Sequence, residues 1–355
     1  MSLQQLGWSP FFEALWADQS QRPARVISQT GNRFLVHDGS REALAAVRGR
    51  LRERANFPPV VGDWVLLSPD APGRLDDDSW VIDELLERRT AISRRQAGKT
   101  FGNQVLAANV DRVVLVMALD QDFSVHRLER YLTLVWASGA TPVLVLSKAD
   151  LVEDPAPFAG EVEKRAMGFP VVCLSNVSGQ SQEELVRLLR AGETIVLLGS
   201  SGVGKSTLVN ALGGSALRRT GAVRSSDGKG RHTTSDRHLV RLPSGVLVID
   251  TPGLREVQPW AGEDSLDQTF AEIAARASGC HFRDCRHQGE PGCAVADAVD
   301  RGQITADRLQ SFHQLRTELE HLERQSDPRL ASEHKSEIKK IHRAQRQKYK
   351  MNRKF

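Results

Sequence analysis

The spacing of apolar positions changes several times along this 355-residue chain. Over residues 1–24, Trp8, Phe11, Phe12, Leu15 and Trp16 recur at helical spacing. That predicts a short amphipathic lead-in whose apolar stripe docks on the body of the protein. From Arg25 to about Arg95 the rhythm shortens. RVISQ, RFLVHD, ALAAVRGRL, DWVLLS and SWVIDELL are separated by Gly, Pro, Asn and Asp. Several short strands with regular turn signals predict a small barrel or sandwich, and five strands in this length fit an OB-type barrel.

Beyond residue 105 the apolar runs become continuous, as in strands buried on both faces: VDRVVLVMAL, TPVLVLS, FPVVCLS, TIVLLG and GVLVID. Between them, FSVHRLERYLTLVWAS, EVEKRAMG, SQEELVRLLRAG and KSTLVNALGG read as helices. The alternation predicts an α/β domain with a mostly parallel sheet. From about residue 262, two helical stretches, EDSLDQTFAEIAARAS and ITADRLQSFHQLRTELEHLERQ, flank a cysteine cluster. The expected organisation is a helical extension (1–24), an OB-fold barrel (25–95), an α/β domain (96–262), a helical metal-binding domain (263–328) and a basic tail (329–355). No internal repeat or low-complexity tract interrupts it.

Composition narrows the class. With 40% apolar and 26% charged residues, a globular protein is expected. No run approaches the roughly 20 apolar residues of a membrane span. The first 21 residues carry no Lys or Arg, unlike a secretory signal. Three of the four cysteines crowd into 280–293, which suggests metal binding in a reducing compartment. A cytoplasmic monomer without a membrane partner is the expectation. The basicity is local: residues 329–355 hold ten Lys/Arg against Glu333 and Glu337, a charge of +8, which leaves −4 of the total +4 on residues 1–328. Tyr349 and Phe355 stand among those charges, so the tail suits RNA phosphates with salt-sensitive affinity.

The candidate chemistry begins at Gly199-Ser200-Ser201-Gly202-Val203-Gly204-Lys205-Ser206, followed by Thr207. It fits G-x-x-x-x-G-K-[ST] between a predicted strand and a predicted helix, the context that gives the pattern its meaning. Glycines let backbone N–H groups wrap phosphate oxygens, and the helix N-terminus adds positive potential. Lys205 can reach the β and γ phosphates, and Ser206 can hold Mg²⁺. Asp250-Thr251-Pro252-Gly253 ends the strand GVLVID. There Asp250 can reach the metal through water, and Gly253 offers an N–H to the γ-phosphate. Between the two motifs lies GKGRHTTSD, 228–236, a loop suited to close over the γ-phosphate. Thr233 or Thr234 would complete the Mg²⁺ shell.

Guanine selection needs a carboxylate for the N1–H and N2–H₂ donors. Ser147-Lys148-Ala149-Asp150 resembles the motif N-K-x-D, with Ser147 in the place of Asn. Asp150 would bind the base edge, and the Lys148 stem would pack over the ring. Ser175-Asn176 after the next strand resembles the small-residue loop behind the guanine. The motifs run 147–150, 175–176, 199–206, 228–234, 250–253. In ordinary GTPases the base motifs follow the phosphate loop, so the parts stand here in circularly permuted order. Such an order is tolerable when the original termini lie close together at the surface.

Cys280, Cys285, His287 and Cys293, spaced C-x₄-C-x-H-x₅-C, form a Cys₃His set suited to a closed, structural zinc site. His281 is the competing ligand, strained by its position beside Cys280. Cys173 stands alone in an apolar strand and reads as a core residue.

Together these residues resemble the circularly permuted, small-subunit-dependent GTPases of the RsgA/YjeQ family. The resemblance rests on VVGDWV at 60–65, the permuted order, GRHTT at 230–234, DTPG at 250–253, and the cysteine spacing followed by Ala294-Val295. It implies an OB-fold, a GTPase domain and a zinc-containing C-terminal domain. It also implies a bacterial factor in late maturation of the 30S ribosomal subunit, with rRNA as partner and GTP hydrolysis stimulated by that subunit. Leu254 occupies the place where Ras-type enzymes carry a water-positioning Gln. The resemblance implies that role for His232, with Arg231 or the RNA partner as the competing stabiliser. Two functional readings follow: a GTPase whose hydrolysis times its release, or an RNA-binding assembly factor for which GTP controls affinity. A generic P-loop ATPase is opposed by Asp150.

Overall fold

A computed structural model of the chain describes residues 1–49, 51, 58–68, 80–95, 103–166, 168–175, 182–213, 237–250 and 263–326. It divides into two units, Met1–Arg94 with Gln104–Pro259, and Arg95–Asn103 with Trp260–Phe355.

The first unit opens with a 3₁₀ turn (Gln4–Leu6) and a short helix α1 (Pro10–Leu15) with proline at its start, where the missing N–H costs nothing. Trp8 and Phe12 are buried against Trp64, at ring separations of 4.7 and 5.8 Å, while Phe11 is exposed. Five strands follow: β1 (Arg22–Thr30), β2 (Arg33–His37), β3 (Glu42–Val47), β4 (Trp64–Leu67) and β5 (Trp80–Leu85). β1 is antiparallel to both β2 and β4, β4 is antiparallel to β5, and β3 runs parallel to β5. The ring β1-β2-β3-β5-β4 therefore closes on itself around Val26, Phe34, Val36, Val65 and Ile82. This is the OB-type barrel that the short strand runs predict.

Arg25 ties the barrel to its surroundings. Its guanidinium is fully buried, and burial pushes it down to about 9. Nε donates to the Gly62 carbonyl at 3.2 Å and Nη2 to the Asn109 carbonyl at 3.1 Å, while Nη1 donates to the Leu6 carbonyl. Those carbonyls, together with the Trp64 ring at 5.4 Å, satisfy a charge that burial alone would penalise heavily.

A separate two-stranded sheet, β6 (Ala91–Arg95) and β7 (Asn103–Ala108), precedes the α/β part in the chain. That part contains β8 (Arg112–Ala118), α2 (Val125–Ser138), β9 (Thr141–Ser147), a 3₁₀ turn (Ala149–Leu151), α3 (Ala156–Ala166), β10 (Val171–Cys173) and α4 (Gln182–Leu188). It continues through β11 (Thr194–Leu198), α5 (Lys205–Gly213), β12 (Arg237–Arg241) and β13 (Leu247–Asp250). β10-β9-β8-β11-β13 are parallel, and β12 is antiparallel to β13. β12 also pairs with the barrel, Ser28 opposite His238 and Gln29 opposite Arg237.

The continuous apolar run of β8 has its cause in this layering. Val113, Leu115 and Met117 pack with Leu128, Leu132 and Val135 of α2 and Val162 of α3. Val114 and Val116 pack with Leu185 of α4 and Leu208 of α5. Alternate side chains thus meet helices on opposite faces.

In the second unit lie α6 (Glu263–Thr269), α7 (Ala271–Ala277), α8 (Ala294–Asp300) and α9 (Ala306–Ser326). The sequence pattern predicts one helix over 263–278, and the structure breaks it at Phe270, whose φ is −118° and ψ 47°. The Phe270 ring is buried, edge-on to Phe312 at 5.5 Å, with the Arg308 guanidinium 4.1 Å above it. Arg308 Nη2 donates to the Thr269 carbonyl at 2.7 Å. The break thus places an apolar ring in the core and leaves the end of α6 satisfied. No described helix is long and apolar enough to cross a membrane.

Candidate functional site

Because β8, β9, β10, β11 and β13 are parallel, their carboxyl ends lie along one side of the sheet. There open α/β sheets bind ligands. Gly199 leaves β11 with φ +147°, and a Cβ on it would stand 2.1 Å from the Val116 carbonyl oxygen. The loop therefore starts in close backbone contact with β8. Gly202 (φ +82°) and Gly204 (φ +95°) also hold left-handed conformations, which glycine adopts without steric cost. Lys205, at the start of α5, donates from Nζ to the carbonyls of Gly199 (2.6 Å) and Ser200. Its ammonium is held across the mouth of the loop. Ser201, Ser206 and Thr207 are exposed, and Val203 is buried.

The S-K-A-D segment sits two strands away at the end of β9. Ser147 is fully buried, and its Oγ lies 2.6 Å from the Val203 carbonyl and 3.3 Å from that of Met117. The hydroxyl in the place of Asn thus contacts the phosphate loop directly. Lys148 takes a left-handed conformation (φ 57°, ψ 37°) that opens the 3₁₀ turn and leaves Asp150 exposed. The Ala149 N–H donates to the Leu174 carbonyl at 3.2 Å. Ser175, fully buried, follows β10. Asp250 is the last residue of β13, opposite His238 of β12.

The structure therefore brings Ser147, Lys148, Asp150, Ser175, residues 199–207 and Asp250 to one edge of one sheet. Asn176, Arg231, His232, Thr233, Thr234, Gly253, Leu254 and the tail 329–355 lie outside the described residues. Sequence reasoning missed Asp120 and Arg127, which follow β8. Asp120 accepts from Lys148 Nζ at 2.7 Å, and Arg127 Nη1 donates to Ser200 Oγ at 2.8 Å. The Lys148 ammonium, with the Asp122 N–H, holds the Asp120 carboxyl below its usual range.

In the second unit, one donor atom from each of Cys280, Cys285, His287 and Cys293 lies within 4.8 Å of the others. His287 Nδ1 is 3.4 Å from Cys293 Sγ and 3.6 Å from Cys280 Sγ. Cys293 caps α8, its sulfur accepting from the Ala296 N–H at 3.4 Å. The turn is closed by Glu290, whose carboxylate accepts from the N–H groups of Arg286 (2.9 Å) and Gln288 (2.6 Å). Its own backbone N–H and these two hold it down at about 2. Burial and the neighbouring cysteines push the Cys285 thiol up to about 11, a crowding that a dication would relieve by binding thiolates. Three sulfurs and one ring nitrogen fit a single tetrahedral ion. His281 is outside the group and exposed. Cys173, on β10, is half-buried at the margin of the sheet core.

Comparison with known proteins places this geometry. The family model described as RsgA GTPase matches residues 85–260. A protein of Opitutus terrae named small ribosomal subunit biogenesis GTPase RsgA is 43% identical, over 98% of this chain and 97% of its own length. The chain belongs to the RsgA GTPase family. The RsgA fold is also seen in the crystal structure of YjeQ from Thermotoga maritima, 30% identical, with a TM-score of 0.63 over 84% of this chain and 98% of that one. The structure of YloQ, described as a circularly permuted GTPase, is 28% identical, with a TM-score of 0.62 over 85% of this chain and 96% of that one. A second model, ABC transporter, matches residues 186–353. That stretch contains the phosphate loop, which P-loop ATPases and GTPases share.

Proposed function

We propose that this protein is a GTP hydrolase that binds the small ribosomal subunit through its rRNA, assists its late maturation, and uses hydrolysis to GDP and phosphate for its own release. The observation that carries the reading is the convergence of S-K-A-D, Ser175 and the phosphate loop at the carboxyl ends of parallel strands of one sheet, in a chain of the RsgA family. Asp150 reads the guanine edge, the Lys148 stem covers the ring, and Ser175 with Asn176 backs it. The N–H groups of residues 199–207 and the Lys205 ammonium hold the phosphates.

Ser206 and either Thr233 or Thr234 would hold Mg²⁺ by hydroxyl, Asp250 through water, and Gly253 offers an N–H to the γ-phosphate. Bound Mg²⁺ supplies charge neutralisation at the phosphate oxygens. His232 orients the attacking water, a role that the apolar Leu254 cannot fill. Zn²⁺ on Cys280, Cys285, His287 and Cys293 is structural. The extension 1–24, barrel 25–95, nucleotide domain 96–262, zinc-binding helices 263–328 and tail 329–355 make up a cytoplasmic monomer that binds RNA.

The test is GTP turnover with and without small ribosomal subunits, with ATP as control. Stimulation specific to GTP and to the small subunit is expected. His232→Ala should keep GTP binding and lose most of the stimulated turnover; retained turnover rejects that role. Slow, unstimulated turnover with GTP-dependent subunit binding would instead make GTP an affinity-controlling ligand.

A further inference from the structure

The connection between β8 and α2, residues Leu119–Ser124, lies outside every nucleotide motif, yet it reaches both halves of the site. On the base side, the Leu119 N–H donates to the Ser147 carbonyl at 2.9 Å, and Asp120 Oδ2 accepts from Lys148 Nζ at 2.7 Å. Asp120 is itself fixed: Oδ1 accepts from the Asp122 N–H at 2.8 Å, and its carbonyl accepts from the Phe123 N–H at 3.0 Å.

On the phosphate side, Arg127 in the first turn of α2 reaches back. Nη1 donates to the Asp122 carbonyl at 3.1 Å, to the Asp122 carboxylate, and to Ser200 Oγ at 2.8 Å. Ser124 Oγ caps the helix by accepting from the Arg127 N–H at 3.3 Å, which fixes where the arginine starts. Ser147 Oγ on the Val203 carbonyl closes the circuit from the other end of the phosphate loop. A continuous set of contacts thus runs from Lys148 through Asp120, Asp122 and Arg127 to Ser200.

We propose that Asp120 and Arg127 are positioning residues for the nucleotide: Asp120 holds the Lys148 stem where it covers the base, and Arg127 holds the Ser200 turn where it meets the phosphates. The short connection then sets the distance between base and phosphate subsites, and selects ligands that present a purine ring and a diphosphate at that spacing. Lys148 otherwise carries several rotatable bonds, and Ser200 sits in a loop rich in glycine. Each contact lowers the entropy that binding must remove. The inference rests on the guanine-nucleotide reading of the site.

Equilibrium binding of a fluorescent GDP to the full-length protein tests it through two double-mutant cycles. Asp120→Asn and Arg127→Met should each raise Kd about two- to fivefold, the scale of one partly exposed charged contact. Asp120→Asn added to Lys148→Met should cost little more than Lys148→Met alone. Arg127→Met added to Ser200→Ala should likewise be non-additive. Arg127→Lys, which keeps a donor for Ser200, should recover part of the loss. Melting of the nucleotide-free variants should move little, whereas a purely structural role would shift it. Unchanged Kd values, or fully additive double mutants, would overturn the positioning roles. A wild-type protein that binds ADP as well as GDP would overturn the guanine reading itself, an outcome separate from the variants.

Discussion

Gly62→Ala is expected to be the most damaging single-methyl addition in the barrel. Gly62 has φ +95°, and a Cβ there would lie 2.1 Å from the Ala108 carbonyl oxygen and 3.0 Å from Ile249 Cδ1. The first neighbour is backbone, so no rotamer relieves the clash. Three hydrogen bonds hold Gly62 in place: its N–H donates to the Val26 carbonyl at 2.9 Å, and its carbonyl accepts from Arg25 Nε at 3.2 Å and Asn109 Nδ2 at 3.1 Å. The left-handed conformation alone costs alanine about 1 kcal/mol. Moving the turn far enough to clear the oxygen strains or breaks those bonds, at about 1 kcal/mol each. A total near 4 kcal/mol corresponds to a melting shift of roughly 8–16 °C for a unit of this size. Gly31→Ala is the matched control, with φ +61° and nothing within 4 Å of its Cβ, so it should show only the conformational part. Differential scanning calorimetry of both variants gives the comparison. If Gly62→Ala melts no lower than Gly31→Ala, the close approach to Ala108 does not constrain the fold.

Other outcomes follow from the sites. Ser147→Ala should strand the Val203 carbonyl without its buried donor, a loss of about 1–3 kcal/mol; titration calorimetry with GDP should show weaker binding. Asp150→Asn should lower the preference for guanine over adenine nucleotides, measured by competition between GDP and ADP; an unchanged preference would refute the base-edge role. Cys285→Ser should reduce zinc below one equivalent in elemental analysis and lower the melting temperature of the second unit, because metal-binding energy is folding energy at such sites.

Much of this architecture is legible along the chain. The barrel strands announce themselves through short β-rich runs with turn residues between, and β8 through a run apolar on both faces. The phosphate loop and Cys₃His spacing are local patterns, so a linear reading finds them. The elements it misses depend on partners distant in sequence. β12 is polar at Arg237, His238 and Arg241, and is a strand because β13 and β1 flank it. Phe270 reads as one more apolar position of a helix, and only its burial under Arg308 explains the break. Asp120 and Arg127 sit 28 and 73 positions from their partners Lys148 and Ser200. They meet them because β8 lies between β9 and β11 in the sheet, a neighbourhood that motif order does not display.

The pairing of β12 with β1 has a consequence for dissecting the protein. A strand with one side unpaired presents open N–H and C=O groups, which invite association with other chains. Ser28 and Gln29 of the barrel cover the beginning of β12, and Val61 of the barrel segment belongs to the same apolar cluster as Ile249 of β13. Cutting the barrel away would leave that border of the nucleotide sheet bare and open a hole over β13. The barrel is thus the selvedge of the sheet as well as a neighbour to it. A fragment beginning after residue 86 would be prone to self-association even with every nucleotide motif intact.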